Sequence, residues 1–197
     1  MIAARRWLGE LTANADPRTA VTNFIALLVL SNQPVYPLWV AWLVGGPIRV
    51  TFWTFLSAPG FFAVPFVARK NSALGRLLLP VVGIFNTFVS AKAFGTASQV
   101  EWFLVPCGLI ALLAFRRTEL RWLIPVLLLL AGAGLLHGRY GIPLGHFTSE
   151  QLTAFARLNL TSVAGLTLLV LWKFGWAIRL ERQIAGQQNS PLSPPLQ

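Results

Sequence analysis

From Thr22 to Ile178 the chain is a succession of long apolar runs separated by short charged or glycine-rich breaks. A run of ~20 apolar residues crosses the hydrocarbon of a bilayer as a helix, because every backbone polar group must then find its partner within the segment. Six runs follow this pattern, at 22–43, 50–67, 74–91, 100–115, 120–136 and 158–178. Composition points the same way: 55% of residues are hydrophobic, 11% are charged and the mean hydropathy is +0.64. A soluble domain carries roughly 25% charged residues. The predicted fold is an all-α polytopic membrane bundle of six transmembrane helices.

The formal charge of +10 would suit a nucleic-acid binder if its basic residues were clustered. They lie instead between the apolar runs. Arg5, Arg6, Arg18, Arg69, Lys70, Arg76, Arg116, Arg117, Arg121, Lys173, Arg179 and Arg182 fall at one side of the predicted bundle, against Arg49, Lys92, Arg139 and Arg157 at the other. Positively charged loops stay in the cytoplasm, so both termini are expected there, and nucleic acid is not an expected partner.

No small-residue cleavage site closes the first apolar run, so it reads as a span rather than a signal peptide. Before it, Ala4, Trp7, Leu8 and Leu11 lie opposite Arg5, Arg6 and Glu10 at helical spacing, which makes residues 1–19 a cytoplasmic interfacial segment. Asp16 and Pro17 predict an N-cap and a first helical position. Pro34, Pro37, Pro59, Pro65, Pro80 and Pro106 lie within spans and should kink them. Thr148 and Gln151 have capping-box spacing, so the last helix should begin near Ser149 and emerge toward Arg182. Residues 20–185 form the transmembrane domain, and the polar, proline-rich stretch 186–197 is predicted to be a disordered cytoplasmic tail.

Polar residues inside the spans are few and share a depth. Asn32 and Gln33 lie in the first, Ser57 in the second, Asn86, Thr87 and Ser90 in the third, and Asn159, Thr161 and Ser162 in the sixth. Amides and hydroxyls at one level suit a cup that opens outward, with Trp53, Phe85 and Trp102 as aromatic lining. Asn32, Gln33, Ser57, Asn86, Asn159 and Ser162 are the candidate ligand-binding residues. The same groups could instead fix helix packing by hydrogen bonds worth ~0.6 kcal/mol each.

Little material for chemistry remains. Glu101 sits at an outer helix end, Glu119 in a turn, and Glu10, Asp16, Glu150 and Glu181 outside the core, so no carboxylate is expected mid-membrane for ion coupling. His137 and His146 flank one outer loop at a spacing that matches no common metal motif, and neither metal nor haem is expected. Cys107, the single cysteine, reads as a buried apolar thiol. Most Lys and Arg residues lie within a turn of a span end, where they can snorkel. No enzymatic activity and no cofactor are predicted.

Asn32-x-Pro34-x-Tyr36, Phe103-Leu104 with Pro106-Cys107, Arg116-Arg117, and Asn159 with Ser162 form a loose pattern over nearly the whole chain. In these features the chain resembles the six-transmembrane input domains fused to bacterial adenylate or guanylate cyclases and histidine kinases. In that family the last span continues into a cytoplasmic signalling helix and a catalytic domain. Here the sequence reaches only Gln197, so the resemblance implies an input module without its output. The expected function is non-catalytic sensing of a small or lipophilic ligand, or binding of a membrane-protein partner. An accessory subunit of a larger complex and a small channel or carrier for an uncharged solute are the alternatives. Membrane lipids are expected partners. A parallel homodimer is expected along the last span, where Ala164, Gly165 and Gly175 permit close approach.

Overall fold

The computed structural model describes residue 6 and residues 9–188, and every described element is helical. Helix α1 (Pro17–Asn32) is followed by α2 (Tyr36–Leu43). A 3-10 helix, Ile48–Ser57, feeds α3 (Ala58–Lys70), and α4 (Ser72–Phe94) returns beside it. The turn Val100–Phe103 leads into α5 (Leu104–Ala114), and Arg117–Trp122 leads into α6 (Leu123–Leu136). The last helix, α7, runs from Ser149 to Gln188.

Among the described residues, four stretches are long and apolar enough to cross a bilayer: Ile48–Lys70, Ser72–Phe94, Arg117–Leu136 and the helix that begins at Ser149. A fifth arises if α1 and α2, which meet at 50°, count as one broken span. The stretch Val100–Ala114 is apolar but shorter.

The helix boundaries have local causes. Asp16 caps α1 by accepting from the Arg18 amide, and Pro17 occupies the first turn, where a missing N–H costs nothing. Around Pro34 and Pro37 the ladder gives way to three-residue bonds, Val35 N–H to Asn32 and Tyr36 N–H to Gln33, and the chain bends there. In the 3-10 helix, Thr51, Thr54 and Ser57 each donate a hydroxyl proton to the carbonyl three residues back. Side chains three apart eclipse in that geometry, so the three hydroxyls form one polar line. The α3–α4 hairpin closes tightly because Gly75 has no side chain: a Cβ there would lie 2.4 Å from the Ala68 Cβ. Thr148 and Gln151 exchange side-chain and amide bonds of 3.0 and 3.3 Å ahead of α7.

Three apolar clusters hold the bundle. One joins Ile25, Phe61, Leu79, Ile110, Val170 and Phe174. A second, near the loops, packs Val40, Phe94, Val100 and Phe155, with Phe94 and Phe155 stacked at 4.9 Å. The third joins Ile84, Cys107, Ala111 and Val126 between α4, α5 and α6.

Several expectations change. The helix that carries the first apolar run starts at Pro17, as the Asp16-Pro17 cap predicts, so it begins five residues ahead of the run itself. Residues 186–188 continue α7 rather than beginning a tail, and 189–197 lie outside the described residues. Of the predicted interfacial helix, Ala4, Arg5, Trp7 and Leu8 also lie outside them, while Leu11 is buried. Arg76 does not snorkel: it is 1% exposed, drawn inward by carboxylates.

Candidate functional site

A cavity of about 560 Å³ opens where the three apolar clusters meet. Its wall includes Asn32, Gln33, Val35 and Tyr36, at the break between α1 and α2. Broken helix is tolerated at membrane depth where it lines a cavity, since the freed backbone groups then face space that a ligand or water can fill. Helix α4 adds Gly83, Asn86, Thr87 and Ser90, α5 adds Cys107, and α7 adds Ser162, Gly165, Leu166 and Leu169. Among the described residues, no Asp, Glu, His, Lys or Arg lines it. Such a wall suits an uncharged guest with an apolar body and a few hydrogen-bonding groups.

The six predicted residues divide into two layers. Asn32, Gln33, Asn86 and Ser162 line the cavity. Ser57 lies behind them: Gln33 Nε2 donates to its hydroxyl at 2.6 Å and to the Thr54 carbonyl at 3.2 Å, and Ser57 Oγ lies 2.8 Å from Asn86 Oδ1. A backbone carbonyl can only accept, so the Gln33 amide nitrogen must face Thr54. That leaves its buried Oε1 without a hydrogen-bond partner, an acceptor held in the cavity wall. Asn159 also lies behind the wall. It is fully buried, donates to the Ser98 carbonyl at 2.8 Å and accepts from the Tyr36 hydroxyl at 3.2 Å, so it positions a lining residue from outside.

The predicted aromatic lining is corrected. Trp53, Phe85 and Trp102 are about half exposed and none reaches the cavity. Phe85 precedes Asn86 on α4, and the ~100° turn per residue that brings the amide inward carries the ring out. Tyr36, Phe61 and Phe103 supply the aromatic wall instead. Thr54 was not anticipated, although the spacing of three among Thr51, Thr54 and Ser57 was its signal in the sequence.

At the opposite end of α7 lies a second polar structure, unforeseen from sequence. Arg18, Arg76 and Arg116 interleave with Asp16, Glu119 and Glu181. Arg76 pairs with Asp16 at 3.3 Å and with Glu119, and lies over the Phe115 ring. Arg116 bridges Asp16 at 3.1 Å and Glu181 at 2.6 Å, and Arg18 holds the other Glu181 oxygen at 3.1 Å. The network also caps α5, whose last carbonyls would otherwise be orphaned: Arg18 donates to Leu113 and Phe115, and Arg76 to Ala114. Burial pushes the Asp16 carboxyl up, but the hydrogen bond from Arg116 and the charges of Arg76 and Arg116 outweigh it and hold Asp16 below its ordinary range. Three cations against three anions leave this layer neutral while tying α7 to α1 and to the α5–α6 turn.

Near the loops, His137 Nδ1 lies 2.8 Å from Glu101, and Lys92 donates to the Tyr140 and Ile142 carbonyls. His146 is exposed. Among the described residues no three of His, Cys, Asp and Glu converge in a metal-holding group. Comparison with protein-family models, with curated proteins and with solved structures finds no match to this chain, so the cavity and the charge layer stand on their own geometry.

Proposed function

We propose that this chain is a non-catalytic sensory module of the bacterial inner membrane, which binds a small uncharged ligand in the cavity and transmits occupancy along α7. The observation that carries this reading is continuity. One helix supplies Ser162, Gly165, Leu166 and Leu169 to the cavity wall, then runs on without interruption to Glu181 in the charge layer and beyond it to Gln188. At ~1.5 Å per residue, Gly165 and Glu181 are about 24 Å apart on a single rigid element. In this reading the bent pair and Val100–Ala114 complete six spans, and the excess of Lys and Arg at the charge-layer end makes that end cytoplasmic, with both termini. A parallel homodimer through α7 would carry the change to a partner. The likeness to cyclase and histidine-kinase input domains supports the same direction of signalling.

An accessory-subunit reading draws on α6. Only 11% of the apolar window in Arg117–Leu136 is buried, and Leu128 and Leu135 face outward. Purification in mild detergent separates the two readings: a large co-purifying complex favours the subunit, and a lone dimer the sensor.

The sensory reading is tested at Gly165, where an added Cβ meets nothing within 4 Å. Gly165→Leu places a branched side chain in the open space beside that wall of the cavity, and replacing a helix-interior glycine adds roughly 1 kcal/mol of helix propensity. Mass spectrometry of organic extracts from both proteins, purified from the same cells, should then find a small compound with the natural chain and none with the variant. Identical extracts from two folded proteins would refute the cavity as the ligand site.

A further inference from the structure

A second cleft, of about 290 Å³, lies on the outside of the bundle between α1 and α7, bounded by Ala20, Val21, Phe24, Trp172, Lys173 and Trp176 together with Thr12. Its one charge is unusual in its setting. The Lys173 ammonium lies 4.7 Å from the Phe24 ring centre and 4.7 Å from that of Trp172. Among the described residues it has no hydrogen bond and no carboxylate partner. The acids of this end are committed elsewhere: Asp16, Glu119 and Glu181 to the arginine layer, and Glu10 to Arg6. Aromatic faces offset part of the cost of placing an ammonium among apolar groups, but a formal anion offsets more.

The position of the cleft along α7 bears on where such an anion would come from. Lys173 precedes Glu181 by two turns of α7, about 12 Å along the helix, while Thr12 lies on the chain just before the Asp16 cap. The cleft thus spans the level between the apolar bundle and the charge layer. Trp172 and Trp176, both more than half exposed, stand along it as interfacial indoles do. We infer that this cleft is a binding site for the phosphodiester headgroup of an anionic phospholipid, with Lys173 as the counter-ion and Phe24, Trp172 and Trp176 as walls for the glycerol and upper acyl carbons. A lysine fits this task as a compact point charge on a flexible stem that can follow a headgroup. The site is separate from the cavity and does not depend on the sensory reading.

The test uses the full chain in dodecylmaltoside, with thermal unfolding followed as phosphatidylglycerol, phosphatidylcholine or inorganic phosphate is added. Phosphatidylglycerol should raise the midpoint, with little change from phosphatidylcholine and none from inorganic phosphate. Lys173→Gln should weaken the apparent affinity for phosphatidylglycerol about fivefold, the effect of one basic residue near a headgroup. Lys173→Arg should restore most of it, and Lys70→Gln, at an exposed cation of the same end, should leave it unchanged. Trp176→Leu keeps the charge, removes one wall and should weaken binding by a smaller factor, which gives a second reading if Lys173→Gln does not fold. Equal affinity in Lys173→Gln and the natural chain, or equal stabilisation by phosphatidylcholine, would overturn the site. Stabilisation by inorganic phosphate that matches the lipid would overturn the lipid as occupant and leave a free-anion site.

Discussion

Replacing Arg76 tests whether the charge layer holds the bundle or merely decorates its edge. Its guanidinium is 1% exposed and meets Asp16, Glu119 and the Ala114 carbonyl at once. Removing one partner of a buried ion pair typically costs about 3–5 kcal/mol, because the remaining charge is left without compensation. In this layer the low end applies. Arg116 still faces Asp16 at 3.1 Å and Glu119 at 3.9 Å after Arg76 is gone, so Arg76→Gln should cost about 3 kcal/mol. Arg116 is 38% exposed, and Arg116→Gln should cost about 1 kcal/mol, near the value of a surface pair. Equilibrium unfolding in mixed micelles, followed by circular dichroism as sodium dodecyl sulfate is titrated, measures both. A loss below about 1 kcal/mol for Arg76→Gln, or a larger loss for Arg116→Gln, would refute the idea that burial decides the strength of this layer.

Two further outcomes follow from the same geometry. Asn159→Leu removes the donor to the Ser98 carbonyl and the acceptor of the Tyr36 hydroxyl, and should lower stability by about 1 kcal/mol; an unchanged unfolding midpoint would argue against its positioning role. The Asp16 carboxyl is held below its ordinary value of 3.8, so its contribution is complete above that pH and is lost as pH falls through the lower folded value. Acid unfolding curves should therefore be steeper below about pH 4 in the natural chain than in Asp16→Asn, and coincident curves would contradict the pairing.

The elements that were legible in the sequence are those with a local cause. Asp16-Pro17 and Thr148 with Gln151 fixed two helix starts, since a cap needs only neighbours within one turn. Pro34 and Pro37 marked the break in the first span for the same reason. Shared depth among scarce polar residues was enough to bring Asn32, Gln33, Asn86 and Ser162 to one cavity. Rotation about each helix axis was not legible: almost every face of an apolar span is apolar, so periodicity could not separate lining Phe103 from exposed Trp102. The charge layer stayed hidden because its six members come from four separate stretches of chain, and each arginine alone has the sequence signature of a span end.

Hydrogen–deuterium exchange over residues 179–188 tests the link between cavity and charged end most directly. The natural chain as purified, the same chain after exhaustive detergent washing, and Gly165→Leu would be compared, each also in a Glu181→Gln background. Occupancy transmitted along α7 through the Glu181 contacts with Arg18 and Arg116 should give different exchange in the loaded and washed chains, and that difference should disappear in Glu181→Gln. Equal exchange over 179–188 in loaded and washed protein would contradict the account, because the helix that walls the cavity would then pass through the charge layer without reporting what the cavity holds.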